Sequence, residues 1–427
     1  MRVGDTPEGM TSSVADPALA DAGRDRIDWA DAQMPVLRSI RERFAATRPL
    51  EGIAVAACLH VTAETANLVR ALLAGGAQVA LCAANPLSTQ DEVAAALAAD
   101  AGATVHARRG EDMDAYVDHV RTLVQGDPQI TLDDGADLLS VLHARPGGLP
   151  ANFLGGTEET TTGLVRLRGL QESGRLKCPV LAVNEARTER LFNDHYGTGQ
   201  STLDGILRAT NLLLAGRTVV IFGYGFTGKG VALRARGAGA QVIVCEVDPM
   251  RALEARMEGF QVMPALEAAG RGEIFITVTG APGVLTTEHF LQMADGAVLA
   301  NAGHFDVEID LPALDAVATG GVREVLPLVT QYEIAGEPPR RLNLLAEGRV
   351  VNLAAGQGHP AAVMDMSFAN QALAAEHLAR SAGALAAGVH PVPELIDREV
   401  ATLKLRSLGV RIDTLNADQQ QYLHHWT

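Results

Sequence analysis

The chain has 427 residues, of which 47% are hydrophobic and 20% are charged. These proportions are typical of a globular protein with two or three domains, and they exclude a chain that is disordered throughout. The formal charge of −16 argues against binding to a nucleic-acid backbone, which requires a basic face.

The first residues are polar, and we expect residues 1–25 to form a mobile N-terminus. They lack the apolar core of a secretory signal, and no apolar run in the sequence is long enough to span a bilayer. We therefore expect a cytoplasmic protein with no membrane partner. The four cysteines form no CxxC pair, which argues against zinc or dithiol chemistry, and we expect no metal site.

Short apolar runs alternate with helical periodicity in the first half of the chain. A single amphipathic helix is predicted over Ile27–Ala45. The strands predicted after it are Ile53–Cys58, Gln78–Cys82, Thr104–His106 and Ile130–Leu132. The helices predicted between them include Ala63–Leu73 and Gln90–Asp100. This alternation predicts an α/β fold with a parallel sheet that helices cover on both faces.

A second strand–helix–strand unit begins near Leu214. Further strands are predicted at Glu273–Thr277, Ala297–Ala300 and Val350–Leu353, followed by a long helix over Met364–Ala387. The second unit lies in the middle of the chain. We therefore predict a separate domain built from the N-terminal half.

A glycine motif follows the apolar run Thr218–Phe222. Gly223, Gly225 and Gly228 form GxGxxG between a predicted strand and a predicted helix. Such glycines make a tight turn, let the backbone approach a pyrophosphate and allow close packing of helix on strand. Glu246 ends the next strand, where a carboxylate accepts hydrogen bonds from ribose hydroxyls and disfavours a 2′-phosphate. The motif therefore predicts a Rossmann-type domain that prefers NAD to NADP.

Several segments, in this order, together resemble the S-adenosylhomocysteine hydrolase (adenosylhomocysteinase) family. They include CLHVTAETANL, LDDGADLL, TEETTTG, YGTGQSTLDGI, GYGFTGKG, NAGHFDVEID, LLAEGRVVNLAAGQGHP and MDMSFANQ. The resemblance implies an NAD-binding Rossmann domain at 196–358, inserted into a second doubly wound α/β domain that binds substrate. That second domain would comprise residues 26–195 and 359–395. Residues 396–427 would form a C-terminal tail, and their ending, QYLHHWT, is similar to the branch of the family with a short tail. A homotetramer is expected by resemblance.

The resemblance also implies a reaction. In this family, bound NAD oxidises the 3′-hydroxyl of an adenine nucleoside to a ketone, which acidifies the C4′ proton. Loss of that proton permits elimination of the group on C5′, water adds, and the ketone is reduced again. NAD is thus a recycled prosthetic group, and we expect an NAD-dependent hydrolase or lyase.

The matching positions assign roles to individual residues. The resemblance places His60 near C5′ as an acid or base, Asp134 at the C4′ proton, Glu159 at the ribose hydroxyls and His304 near the leaving group. The full catalytic set comprises His60, Asp134, Glu159, Glu189, Asn193 and His304. The positions around the adenine are Thr62, Glu64 and His359. The cofactor positions are Thr160, Thr161, Thr162, Asn184, Asp194, Gly223, Gly225, Phe226, Thr227, Gly228, Glu246, Thr279 and Asn352.

The segment VNEARTERLFNDHYGTGQS departs from the family pattern, which generally has VND(A/S)xTKxxFDN there. The lysine and aspartate of that pattern lie four residues apart on one helical face, and the lysine is the expected base for oxidation. Here these positions are Glu189 and Asn193, and Asp194 follows. The chain has three lysines, none of which can replace the missing one locally: Lys177, Lys229 and Lys404.

Three functions stay open on the sequence. In the first, which we favour, Glu189 is the base and the substrate has diverged. Loss of water from a 5′-hydroxyl would then give a 4′,5′-unsaturated nucleoside, as in angustmycin-type antibiotics. In the second, the enzyme hydrolyses S-adenosylhomocysteine with Glu189 in place of lysine. In the third, the protein is a non-catalytic NAD-binding regulator. Neighbouring carboxylates would raise the pKa of Glu189.

Overall fold

A computed structural model describes residues 11–100, 102–304, 306–381 and 383–424. Within these ranges the chain forms fifteen strands. In chain order they are β1 (Ala54–Leu59), β2 (Gln78–Ala83), β3 (Ala103–His106), β4 (Ile130–Asp133), β5 (Gly155–Glu158), β6 (Pro179–Ala182), β7 (Thr218–Phe222), β8 (Gln241–Cys245), β9 (Gln261–Val262), β10 (Ile274–Thr277), β11 (Ala297–Asn301), β12 (Gly321–Leu326), β13 (Val329–Ile334), β14 (Arg340–Leu345) and β15 (Gly388–Pro391).

The strands form two sheets. The first has the order β15-β6-β5-β4-β1-β2-β3, and all of its neighbours are parallel. The second has the order β12-β13-β14-β11-β10-β7-β8-β9, in which only the two pairings of β13 are antiparallel. The predicted α/β fold with parallel sheets is confirmed. Because β15 joins the first sheet, the chain returns to that sheet after it has built the second.

Helices connect the strands. In chain order they are α1 (Ala20–Asp31), α2 (Pro35–Thr47), α3 (Ala63–Ala74), α4 (Asp91–Ala99), α5 (Met113–Gln125), α6 (Asp137–Ala144), α7 (Thr161–Glu172), α8 (Gly199–Thr210), α9 (Phe226–Gly237), α10 (Pro249–Met257), α11 (Ala265–Ala269), α12 (Thr287–Gln292), α13 (Leu311–Val317), α14 (Val351–Ala354), α15 (Ala361–Arg380), α16 (Glu394–Ser407) and α17 (Ala417–His424). A π-helical segment, Glu189–Thr198, leads directly into α8. In the described ranges, none of the helices is both long enough and apolar enough to cross a membrane.

The side chains of β7 show why these strands are buried on both faces. Val219 and Ile221 pack into one apolar cluster, whereas Val220 and Phe222 pack into another on the opposite face. Successive side chains of a strand alternate between faces, so a strand that is covered twice needs a continuous apolar sequence. The four cysteines are free and buried, as expected for small apolar side chains.

Two predicted elements are wrong in the N-terminal and central parts of the chain. The single helix predicted over Ile27–Ala45 is two helices, α1 and α2, and Pro35 begins the second. Proline lacks the N–H that a helix interior requires, but it is well tolerated in a first turn. The strand predicted at Val350–Leu353 is the short helix α14. The strand that pairs with β11 is β14.

The ends of the chain also differ from expectation. Residues 1–10 of the predicted mobile N-terminus lie outside the described residues. Beyond them, the Ser13 N–H donates to the Val105 carbonyl at 2.7 Å, and α1 begins at Ala20. The helix predicted over Met364–Ala387 ends at Arg380. Residues 396–407 of the predicted C-terminal tail form part of α16, whose Val400 is buried in the apolar cluster that packs against the first sheet.

Candidate active site

A cavity of about 580 Å³ lies at the carboxyl ends of strands from both sheets. His60 follows β1, Asp134 follows β4 and Glu159 follows β5, while His304 follows β11 of the second sheet. Ligands bind at the carboxyl ends of parallel strands because the loops there converge on one edge. Seventeen predicted site residues line the cavity: His60, Thr62, Glu64, Asp134, Glu159, Thr160, Thr161, Thr162, Asn184, Glu189, Asn193, Asp194, Thr227, Thr279, His304, Asn352 and His359.

Two histidines and an aspartate form one group on the cavity wall. His60 Nε2 lies 3.3 Å from Asp134 Oδ2, and His60 Nδ1 lies 2.7 Å from Ser88 Oγ. The second contact fixes the orientation of the ring. His304 also lines the cavity, and its burial lowers its pKa. The lowered pKa favours the neutral imidazole of His304 in the electrostatic field of Asp134, and such a ring is suited to accept and donate a proton.

Glu159 belongs to a second group. Its two carboxylate oxygens accept hydrogen bonds from Ser367 Oγ and Gln371 Nε2, both on α15. Burial, to which the nearby charge of Asp134 adds, raises the pKa of Glu159 to about 8. The carboxyl is therefore held in one place and is reluctant to ionise.

Glu189 and Asn193, the pair that departs from the family pattern, lie beside this group. Their side chains are buried, and Asn193 Nδ2 donates to Glu189 Oε1. The two side chains, which were expected on one helical face, thus meet in a π-helical segment. Glu189 Oε2 and Asn193 Oδ1 are buried without a hydrogen-bond partner. Such atoms are costly unless a ligand pairs with them.

Burial raises the pKa of Glu189 well above its ordinary value of 4.5, and the carboxylates of Glu159 and Asp194 raise it further. Burial likewise raises the pKa of Asp194 to about 6. Among the described residues that line the cavity, none is a lysine or an arginine. The missing base is therefore not supplied by another cation in this part of the structure.

The three lysines of the chain make contacts elsewhere. Lys404 Nζ lies 2.9 Å from Asp365 Oδ2, Lys229 Nζ donates to Glu254, and the exposed Lys177 donates to the Gly174 carbonyl at 2.6 Å. None of them lines the cavity. The expectation that no lysine replaces the absent one agrees with these contacts.

The three residues predicted around the adenine also line the cavity. Thr62 caps α3, with Glu64 in its first turn, and burial raises the pKa of Glu64. His359 Nε2 lies 2.9 Å from Thr198 Oγ1 and 3.4 Å from Asn352 Nδ2. Burial lowers the pKa of His359 to about 4, so its ring is neutral and Nε2 can accept both bonds.

The glycine motif makes a tight turn between β7 and α9. Gly223 has φ +98°, in the left-handed region that favours glycine. A Cβ on Gly228 would come 2.1 Å from the Gly223 carbonyl oxygen, whereas a Cβ on Gly225 would have nothing closer than 3.8 Å. The turn is thus packed on the helix side and open at Gly225, at the N-terminus of α9. This geometry fits a dinucleotide pyrophosphate.

Five predicted cofactor residues are not among those that line the cavity, and they belong to this turn and its neighbouring strand: Gly223, Gly225, Phe226, Gly228 and Glu246. Glu246 Oε2 accepts the Tyr224 N–H at 2.7 Å, and Oε1 accepts the Val247 N–H at 2.7 Å. These bonds hold the carboxylate beside the turn. Near the cavity, Thr161 Oγ1 donates to Asn184 Oδ1 at 2.9 Å.

Sequence analysis missed several residues that support the site. Ser367 and Gln371 hold Glu159, although their segment, MDMSFANQ, carries part of the resemblance. Glu308 is buried, and it accepts the N–H groups of Thr279 and Gly280, both at 2.8 Å. It therefore shapes a loop of the cavity wall. The only sequence signal for Glu308 was its place in NAGHFDVEID, a segment that carries part of the resemblance.

The fold and the site define an NAD-binding α/β enzyme. The family model for the NAD-binding domain of S-adenosyl-L-homocysteine hydrolase matches residues 194–358, and the model for S-adenosyl-L-homocysteine hydrolase matches residues 11–149. The chain belongs to the S-adenosyl-L-homocysteine hydrolase family, as the resemblance predicted.

Full-length relatives agree with this assignment. The chain is 56% identical to the adenosylhomocysteinase of Aquifex aeolicus, over 98% of this chain and 99% of that protein. It is 51% identical to the adenosylhomocysteinase of Saccharolobus solfataricus, over 98% and 99% of the two chains. It is also 51% identical to the S-inosyl-L-homocysteine hydrolase of Methanopyrus kandleri, over 97% of each chain. NAD is therefore the cofactor of this enzyme family and of this chain.

Proposed function

We propose that the protein uses tightly bound NAD to oxidise a sugar hydroxyl of an adenine nucleoside, and that it eliminates or adds a group across C4′–C5′. One observation carries the proposal: a single cavity brings the Glu159–Glu189–Asn193 group and the His60–Asp134–His304 group together. Oxidation of a sugar followed by elimination needs two separate proton-transfer sites in one enclosed space.

The first group serves the oxidation. NAD held at the Gly223–Gly228 turn and beside Glu246 would supply a reversible acceptor for the hydride of the sugar carbon. Glu189 Oε2 and Asn193 Oδ1, which lack partners, are free to accept hydrogen bonds from sugar hydroxyls. Glu189 in its ionised form takes the hydroxyl proton, and its raised pKa makes it a stronger base once ionised. Glu159 fixes the sugar because its own position is fixed by α15.

The second group serves the elimination. Asp134 removes the proton from C4′, and the two electrons of that C–H bond form the C4′–C5′ double bond as the group on C5′ leaves. His60 and His304 hold the proton that the leaving group requires. The reverse addition of water uses the same positions. The contact between His60 and Asp134 lets a proton pass from one of these side chains to the other.

Hydrolysis of S-adenosyl-L-homocysteine to adenosine and homocysteine is the leading candidate for the complete reaction. It is supported by full-length relatives that are named for this hydrolysis and by an acid–base group near the expected leaving group. In this case Glu189 replaces a lysine in the oxidation, and the leaving group is a thiol.

Dehydration of a nucleoside at its 5′-hydroxyl is a second candidate, and the Glu189–Asn193 pair favours it. Relative to the family pattern, the pair changes the charge and the hydrogen-bond pattern where the sugar hydroxyls are expected to bind. The His60–Asp134–His304 group, which we assign to the elimination, matches that pattern. Loss of the C4′ proton and of the 5′-hydroxyl as water would give a 4′,5′-unsaturated nucleoside without any thiol. A non-catalytic regulator is the third possibility.

Product analysis separates these candidates. The NAD-loaded protein is incubated with S-adenosyl-L-homocysteine and, separately, with adenine nucleosides that carry a free 5′-hydroxyl. Released thiol supports hydrolysis, and a nucleoside lighter by one water supports dehydration. Glu189→Gln should abolish either reaction, whereas Glu394→Gln, which removes an exposed carboxylate, should not. If neither product forms and the nicotinamide is never reduced, the protein is not an enzyme of this kind.

A further inference from the structure

A buried carboxylate outside the cavity holds the start of the π-helical segment. Asp397, on α16, accepts hydrogen bonds on both of its oxygens. Oδ2 accepts the Arg187 N–H at 2.6 Å, and Oδ1 accepts the Thr188 N–H at 2.9 Å and also the Thr188 hydroxyl. The first N–H groups of a helix have no partner within the helix. A carboxylate is a favourable partner there because the N-terminus carries a partial positive charge.

Thr188 transmits this anchor to the site. It is buried and immediately precedes Glu189, the first residue of the segment. Its own side chain makes no capping bond to the segment, because its hydroxyl is used by Asp397. Asp397 is not among the residues that line the cavity. Any effect it has on the reaction must therefore pass through the residues it holds, Arg187 and Thr188.

A second side chain fixes Thr188 from another direction. Asn370 Nδ2 donates to Thr188 Oγ1 at 2.8 Å, so this hydroxyl accepts one bond while it donates another to Asp397. Asn370 lies on α15 between Ser367 and Gln371, the two residues that hold Glu159. The same helix thus sets the position of Glu159 directly and that of Glu189 through Thr188.

We propose that Asp397 is a positioning residue. By capping the π-helical segment at Thr188, it holds the Glu189 side chain in place beside Glu159. This inference rests on the proposed role of Glu189 in sugar oxidation. A displacement of about 1 Å in a reacting group can lower a rate by roughly 100-fold. Loss of the Asp397 contact should therefore reduce turnover much more than substrate binding.

Asp397→Asn tests the proposal in the NAD-loaded full chain. An amide offers one acceptor oxygen and turns its NH₂ group toward donors, so it cannot make all three bonds. We expect kcat to fall by about 10- to 100-fold while KM changes by less than about 3-fold. Asp365→Asn is the matched control. Asp365 is also buried, and it accepts the N–H groups of Val36 and Leu37 at the start of α2 as well as a hydrogen bond from Lys404. None of these partners lines the cavity.

A second pair of variants guards against a folding defect at Asp397. Thr188→Val removes the hydroxyl and keeps the shape of the side chain, and should lower kcat by about 10-fold. Thr188→Ser keeps the hydroxyl and should retain most of the turnover. An equal loss in Asp397→Asn and Asp365→Asn, or equal rates for the two Thr188 variants, would overturn the proposal.

Amide hydrogen exchange gives a measurement that does not depend on turnover. Asp397→Asn should speed exchange in the peptide that contains Glu189–Asn193, whereas Asp365→Asn should speed it at the start of α2 and near Lys404 but not in the Glu189 peptide. If the wild-type protein oxidises no nucleoside, the proposed function fails, and exchange still tests the anchor. Unchanged exchange in the Glu189 peptide of Asp397→Asn contradicts the anchor whatever the reaction is.

Discussion

Replacing Glu189 by Gln should make the protein more stable in alkaline solution, because it removes a carboxyl that resists ionisation in the folded state. An unfolded glutamate ionises near its ordinary pKa of 4.5, whereas burial and the neighbouring carboxylates raise the pKa of Glu189 well above that value. Between these two values the folded chain binds more protons than the unfolded chain. The free energy of unfolding therefore falls as the pH rises.

The size of this effect follows from the shift. Each pH unit within the window costs about 1.4 kcal/mol per group. For Glu159, whose pKa is about 8, the same rule predicts that the free energy of unfolding falls by up to about 5 kcal/mol between the ordinary pKa of 4.5 and that value. For Glu189 the loss has the same sign and cause: it begins above about pH 4.5 and grows by up to about 1.4 kcal/mol per pH unit for as long as the folded carboxyl stays protonated.

Urea unfolding at several pH values, with NAD at one fixed saturating concentration, measures this difference. The wild-type and Glu189→Gln proteins should have similar midpoints near pH 5 and diverge as the pH rises, with the variant more stable. Glu394→Gln is the control, because Glu394 is exposed and should follow the wild type. Parallel wild-type and Glu189→Gln curves across the whole pH range would show that Glu189 does not resist ionisation in the folded protein.

Three further changes have definite expected outcomes. A triple variant restores the family charge pattern: Glu189→Lys, Asn193→Asp and Asp194→Asn. It should raise homocysteine release by at least about 10-fold. An unchanged rate would show that these positions do not limit hydrolysis. Gly228→Ala brings a Cβ to 2.1 Å from a backbone carbonyl oxygen. It should weaken NAD binding, measured by calorimetry, by more than about 10-fold, and it should lower the free energy of unfolding, measured in urea, by about 1–3 kcal/mol. Wild-type values in both measurements would contradict the close packing of this turn. Glu246→Ala should raise the Kd for NAD by roughly 10-fold and reduce the preference over NADP; an unaltered ratio of the two affinities removes its role.

Local patterns predicted those parts of the protein that depend on neighbouring residues in the chain. The apolar run of β7, the glycine turn and the acidic end of β8 all lie within about 30 residues, the length of one strand–helix–strand unit. The contact between Glu189 and Asn193 followed from their spacing of four. The break at Pro35 is also visible in the sequence, because a proline inside a helical pattern interrupts the helix.

Other features required the folded chain. The four-residue run Val350–Leu353 suits a strand or a buried helix equally well, and periodicity cannot separate the two at that length. Gln371 holds Glu159 and Asp397 holds Thr188 across about two hundred residues of sequence. The resemblance predicted which residues contact the substrate, whereas the residues that fix those side chains emerged only from the packing of α15 and α16.

We propose that this chain passes electrons between a nucleoside and its bound NAD with Glu189 in place of a lysine. The most direct measurement is the absorbance of the bound nicotinamide after NAD-loaded protein is mixed with S-adenosyl-L-homocysteine or an adenine nucleoside. We expect the band of reduced nicotinamide to appear in the wild type, to grow faster as the pH rises and Glu189 ionises, and to be absent in Glu189→Gln. A wild-type protein that shows no reduced nicotinamide with any of these compounds would contradict the account.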